Sequence, residues 1–124
     1  RGLGDVYKRQ LYSSAMGKAV LAEFDAPQVE EYLAATPLTA YTENTITNQL
    51  KLKKELERAK ENQVAFDDEE MEQEIYCIGA SLIKDQEIVG AFSISLPKYR
   101  LTPEYKMTLI DAIIATKQQI EQAL

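Results

Sequence analysis

A chain of 124 residues is one domain by length, and it can bury about two thirds of its unfolded surface without disulfide or metal staples. Its net charge is −6, so it lacks the basic excess that displaces counterions from phosphates and is not expected to hold nucleic acid alone. One cysteine and no histidine exclude an internal disulfide, a cysteine-rich zinc site and every His-activated nucleophile, which argues against an enzyme.

No apolar run approaches membrane-spanning length and no signal-peptide pattern opens the chain, so a soluble, cytoplasmic protein without cofactor or metal is expected. Residues 1–10 combine two glycines with mixed charge and no period. They read as disordered, or as non-native linker, and the domain is placed at 11–124.

From Tyr12 the chain becomes regular. Ser13 or Ser14 is placed to cap a helix running to about Phe24. Asp25-Ala-Pro-Gln28 then has the order of a capping box with proline in the first turn, and the helix after it sets Val29 and Leu33 on one face. Thr36 to Asn44 reads as a loop. Thr47 is placed to cap a longer helix to about Asn62, with Leu52, Leu56 and Ala59 as its apolar stripe.

The period then changes. The acidic segment Asp67–Glu70 leads into Ile75–Ile83, apolar on both alternating sets, as a strand covered on both faces is. Ile88–Leu96 reads as a second such strand, antiparallel to the first, and Pro97 ends it. Thr102-Pro103-Glu104 is a helix start, and Met107, Ile110, Ile113, Ile114 and Ile120 mark one face of the closing helix. The whole predicts an α+β layer, helices packed on a small antiparallel sheet.

Four blocks in this order resemble a known family. They are Leu11-Tyr-Ser-Ser-Ala-Met-Gly-Lys-Ala-Val-Leu-Ala22, Tyr41-Thr-Glu-Asn-Thr-Ile-Thr47, Phe66-Asp-Asp-Glu-Glu70 with Cys77-Ile-Gly-Ala80, and Ser93-Ile-Ser95 with Arg100-Leu-Thr-Pro103. The set is similar to the effector-binding domain of IclR-type transcriptional regulators. That resemblance implies a GAF-like or profilin-like fold and an N-terminal winged helix-turn-helix, which this chain lacks together with the first strands and helix of the sensing domain. It also implies dimers or tetramers, and a small-molecule effector, often a carboxylate or an aromatic acid. DNA contact would belong to the missing N-terminal domain.

Carried over position by position, the resemblance puts effector contacts at Ala15, Met16, Asp67, Ile75, Cys77, Ser93 and Ser95. The chemistry is coherent, because free N–H groups at a helix start attract an anion and hydroxyls two apart on a strand share a side. For Cys77 to share a face with the serines, cross-strand partners must sum to an even number. Pairing 77 with 95 and 79 with 93 satisfies this, with Asp85-Gln86-Glu87 as a three-residue turn. Glu74 and Ser81 stand where the family usually has glycine and proline. Asp67 beside a bound carboxylate would repel it unless protonated, bridged by water, or accepting from a ligand hydroxyl, which favours a hydroxy- or keto-acid.

Each of these residues also has a plain structural reading. Cys77 is then a small buried hydrophobe, the serines satisfy backbone groups, and Asp67–Glu70 is a solvated edge in which Asp68, Glu69 and Glu70 are structural. Gly17 reads as a packing point between helix and sheet, Lys18 as a surface lysine, and Tyr99 and Arg100 as structural. A small acid/base enzyme and a ligand-free dimerisation module remain the alternatives to a sensor.

Overall fold

The computed structural model describes residues 10–124; the expected disorder of residues 1–10 falls, apart from Gln10, outside them. A 3-10 turn at Leu11–Ser13 opens the described chain. Ser14, not Ser13, caps α1 (Ala15–Leu21), its side chain accepting from the Gly17 N–H. This helix stops three residues short of the expected Phe24. At Asp25 the predicted capping box forms, with Asp25 Oδ1 accepting from the Gln28 N–H at 2.8 Å and Gln28 Oε1 from the Asp25 N–H at 2.9 Å. It starts α2 (Ala26–Ala35), which buries Leu33.

A long connection leads to α3 (Gln49–Asn62), capped by Asn48 rather than Thr47, with Leu52, Leu56 and Ala59 buried as the period requires. Gln63, left-handed at φ 66°, ends it by returning its N–H to the Ala59 carbonyl.

The sheet has three antiparallel strands in the order β1 (Ala65–Asp68), β2 (Ile75–Lys84), β3 (Glu87–Pro97). β1 is the element that the sequence did not announce. Four residues with two adjacent acids carry no readable alternation, and only pairing to β2 makes them a strand. Cys77 pairs with Ser95 and Gly79 with Ser93, the predicted register. The turn beyond, however, has two residues. Lys84 opposes Glu87, and Asp85 and Gln86 both take positive φ, 53° and 67°, as a tight primed hairpin turn demands. A bulge reconciles the two facts: Leu82 opposes Gly90 and Ile83 opposes Ile88, so Val89 has no partner and parity is restored toward the serines.

A second tight spot falls at one departure from the family pattern. Glu74, where the family usually has glycine, sits at φ 67°. Its N–H is held by Glu69 Oε2 at 2.9 Å and its carbonyl by the Lys98 N–H at 2.8 Å.

α4 (Pro103–Ala123), capped by Thr102, covers one face of the sheet, where Ile113 packs with Val64, Tyr76, Ile78 and Ala80. α1 covers the other. β2 is therefore sandwiched, as expected, whereas β3 is not: its inner face is half-buried, and Ser93 and Ser95 are exposed. The closing helix also departs from its expected stripe. Met107 is exposed, and the buried position one turn after Ile113 belongs to Lys117.

Lys117 donates to the Ser81 carbonyl at 2.7 Å and pairs with Glu121 at 2.8 Å, while Glu121 accepts the Ile83 N–H at 2.8 Å. The ion pair thus supplies a donor and an acceptor to β2 backbone beyond the short β1. A second apolar cluster, Tyr12, Leu21, Leu33, Ile46, Leu52 and Leu56, joins the three N-terminal helices. Tyr12 anchors it to the connection through its hydroxyl, which donates to the Thr39 carbonyl and accepts from the Thr39 N–H, both at 2.6 Å.

Candidate functional site

The α1 face of the sheet carries two cross-strand rows. Asp67, Cys77 and Ser95 form one across β1, β2 and β3, and Ala65, Gly79 and Ser93 form the next. Cys77 is the middle of the first row, flanked by Asp67 on β1 and Ser95 on β3, and both neighbours act on its thiol. Ile75, two residues before Cys77, continues that face toward Pro97.

Over the second row lies the start of α1. A Cβ built on Gly79 would stand 2.8 Å from the Ala15 carbonyl carbon and 2.8 Å from the Met16 nitrogen, so only glycine lets helix and sheet approach this closely. Gly79 is the helix–sheet packing point expected of Gly17. Gly17 instead rests on backbone of the opening turn, where a Cβ would lie 2.3 Å from the Leu11 oxygen.

The predicted contact residues are spread along the α1 face of the sheet, from Ile75 to the row of Gly79 and Ser93, and at the α1 start above Gly79. Ser93, Ser95 and Met16 are exposed, Ile75 and Cys77 half-buried, and Ala15 and Asp67 buried. Ala15 is buried, its backbone packed on Gly79. Ser14 already occupies the Gly17 N–H, which leaves the Ala15 and Met16 N–H groups as the helix-start donors without an intrahelical acceptor. A groove of about 430 Å³ runs beside this point between Leu11, Val20, Ile88 and Ala91, and shares Met16 alone with the predicted set.

Asp67 is bound into the β1–β2 turn. Its Oδ1 accepts the Glu70 N–H at 2.7 Å and, longer, the Met71 N–H at 3.4 Å. The outer side of the turn is held by the Tyr41–Thr47 block: Thr42 donates to the Glu69 carbonyl, Thr45 to the Glu70 carbonyl at 2.5 Å, and Asn44 to the Asp68 carbonyl at 3.0 Å. Burial pushes the Asp67 carboxyl above its usual range, against the pull of those N–H groups and of Lys18. Burial also raises the Cys77 thiol, with Asp67 adding to the rise and Ser95 opposing it. That thiol stays protonated near neutrality and is no nucleophile.

The reading of Lys18 as a surface lysine is overturned. It is 0% exposed. Its ammonium lies 2.6 Å from Glu70 Oε1, 3.2 Å from Glu55 Oε2 on α3, and donates to the Phe66 carbonyl at 2.8 Å. Glu70, only 5% exposed, is likewise no solvated edge, and burial raises its carboxyl against the opposing ammonium. Helical spacing carried a signal for this: positions 15, 18, 19 and 22 share one face, and the alanines at three of them mark it as the packed one. A lysine there needs a buried partner.

With this geometry in view, comparison with known proteins is direct. The family described as bacterial transcriptional regulator IclR, C-terminal, matches residues 7–122. The "Transcriptional repressor IclR" of Escherichia coli is 34% identical over 98 residues, 78% of this chain and 36% of that protein. The "Acetate operon repressor" of Salmonella typhimurium is 33% identical over 118 residues, 94% of this chain and 43% of its own. The crystal structure of the Thermotoga maritima IclR superposes with a TM-score of 0.82 at 35% identity, over 92% of this chain and 47% of that one. The chain thus spans less than half the length of each. Sequence blocks, strand register and superposition agree, and this chain belongs to the IclR C-terminal family of bacterial transcriptional regulators.

Proposed function

We propose that this chain is the effector-sensing part of a DNA-binding transcriptional regulator, and that it takes a small carboxylate, preferably a hydroxy- or keto-acid. The observation that carries this reading is the juxtaposition of the α1 start with the two cross-strand rows. Two backbone N–H groups and the Ser93 and Ser95 hydroxyls provide neutral donors for a carboxylate, and Ile75 and Cys77 provide apolar contact. Asp67, acceptor-rich and buried, suits a ligand that also brings a hydroxyl.

DNA contact would belong to a winged helix-turn-helix outside this chain, in keeping with the chain's net charge of −6. Binding an acid between α1 and the sheet would favour one of two arrangements and, in a dimer or tetramer, alter the spacing of the DNA-reading heads.

A thermal-shift screen over small hydroxy-, keto- and plain carboxylic acids tests the proposal. A ligand at a hundredfold excess over its Kd adds about 2.7 kcal/mol of stability. Ser93→Ala and Ser95→Ala are each expected to weaken the best hit by roughly 1–3 kcal/mol. A flat response to all acids would leave a structural dimerisation module as the better reading, and turnover of any acid would favour an enzyme.

A further inference from the structure

On the α1 side of the sheet, one ammonium serves three carboxylates. Lys18 contacts Glu70 and Glu55 directly. Asp67, 3% exposed, is the third, and Lys18 is the one ammonium among the groups acting on it within the described residues. The Glu55 side chain is 27% exposed, so water serves it. Within the buried set one positive charge faces two negative ones, an excess of one negative.

The other titratable groups around Asp67 give no relief. Asp68, on its own strand, is turned to the exposed Lys98 at 2.6 Å. On β2 stands the protonated Cys77 thiol, with Glu72 of the turn acting on it as a further negative charge. Opposite, β3 contributes Ser95, which has no charge.

An acid anion beside Ser93 and Ser95 would double the excess next to the buried Asp67, and like charges brought together favour uptake of a proton. Glu70 is the poorer acceptor, because its carboxylate holds the ammonium. Asp67 is the better one. Its Oδ1 accepts two N–H bonds, which a carboxylic acid's carbonyl oxygen also accepts, leaving the second oxygen to carry the proton.

We propose that the site binds its acid as an anion together with one proton from solvent, placed on Asp67. Asp67 thereby selects monoanionic acids and makes their affinity fall as pH rises. This rests on the acid-sensing reading above, and the experiment separates the two. Lactate is titrated calorimetrically into the chain between about pH 6 and about pH 8, where lactate stays ionised, in two buffers of different ionisation heat.

The expected result is a tenfold loss of affinity per pH unit and one proton taken up per lactate bound. Asp67→Asn keeps an Oδ1 for the Glu70 and Met71 N–H groups. It is expected to abolish the slope and the uptake, and to bind lactate at least tenfold more tightly than the parent at the alkaline end. Affinity independent of pH in the parent, with no proton uptake, overturns the proposal while leaving the acid site standing. A slope that persists in Asp67→Asn assigns the proton elsewhere and overturns it too. Absence of lactate binding at every pH counts against the acid site itself and takes this inference with it. Absence of proton uptake by the parent overturns the proposal even should the variant fail to fold.

Discussion

Replacing Lys18 by methionine keeps most of the apolar stem and removes the ammonium, with its charge and its donors. In the parent, the ammonium neutralises Glu70 at 2.6 Å and satisfies the Phe66 carbonyl at 2.8 Å, both out of contact with water. Breaking a buried ion pair from one side costs about 3–5 kcal/mol, most of it the penalty on the carboxylate left behind. Loss of the contact to the partly exposed Glu55 adds less than about 1 kcal/mol.

Urea unfolding of Lys18→Met, followed by circular dichroism at about pH 7, is therefore expected to show a loss of about 3–5 kcal/mol. Adding Glu70→Gln removes the stranded charge while retaining an acceptor for the Asp68 N–H, so the double variant is expected to recover about 2 kcal/mol or more. The sign of the pH effect is also set. Burial already holds Glu70 above its usual value of 4.5, and without the ammonium it rises further. A raised carboxyl favours the fold below its ordinary value, and that advantage is lost as pH climbs through the folded one. The deficit of Lys18→Met should accordingly shrink on acidification toward that range. A single variant within about 1 kcal/mol of the parent, or a double variant that is simply additive, would refute the idea that an ionised pair is buried here.

Two further substitutions probe the frame of the site. Gly79→Ala drives a methyl into α1 backbone at 2.8 Å, where no flexible side chain can yield. It is expected to destabilise by about 1–3 kcal/mol, read as a lowered urea midpoint, and to weaken acid binding because the helix start is displaced. Lys117→Met leaves the Ser81 carbonyl and the Glu121 carboxylate without their donor. Burial pushes Glu121 up, but Lys117 and the Ile83 N–H outweigh it and hold the carboxyl below its usual range. A loss of roughly 1–3 kcal/mol is expected, with faster hydrogen exchange at the Ile83 amide than in the parent; unchanged exchange there would sink the assignment.

Local chemistry determined most of the architecture. Ser14, the Asp25–Gln28 box and Thr102-Pro103 start helices through bonds within four residues, so a reading confined to neighbours finds them. The stripe of Leu52, Leu56 and Ala59 and the two apolar runs of the hairpin are periodic for the same reason. The resemblance placed Cys77, Ser93 and Ser95 on one face, parity named the register that this requires, and the observed register agrees. It does so by a route the sequence hid, a shorter turn offset by the bulge at Val89, since a bulge is a property of the pairing and not of either strand.

Three features were decided by tertiary structure. Four residues become β1 only because β2 offers them a ladder. Gly79 matters only because the start of α1 crosses above it. Lys18 and Glu70, 52 positions apart by their numbers and each polar enough to pass for surface, are buried only because they meet. A charge can leave water when a partner far along the chain replaces its hydration, and the sequence near either residue carries no trace of that partner.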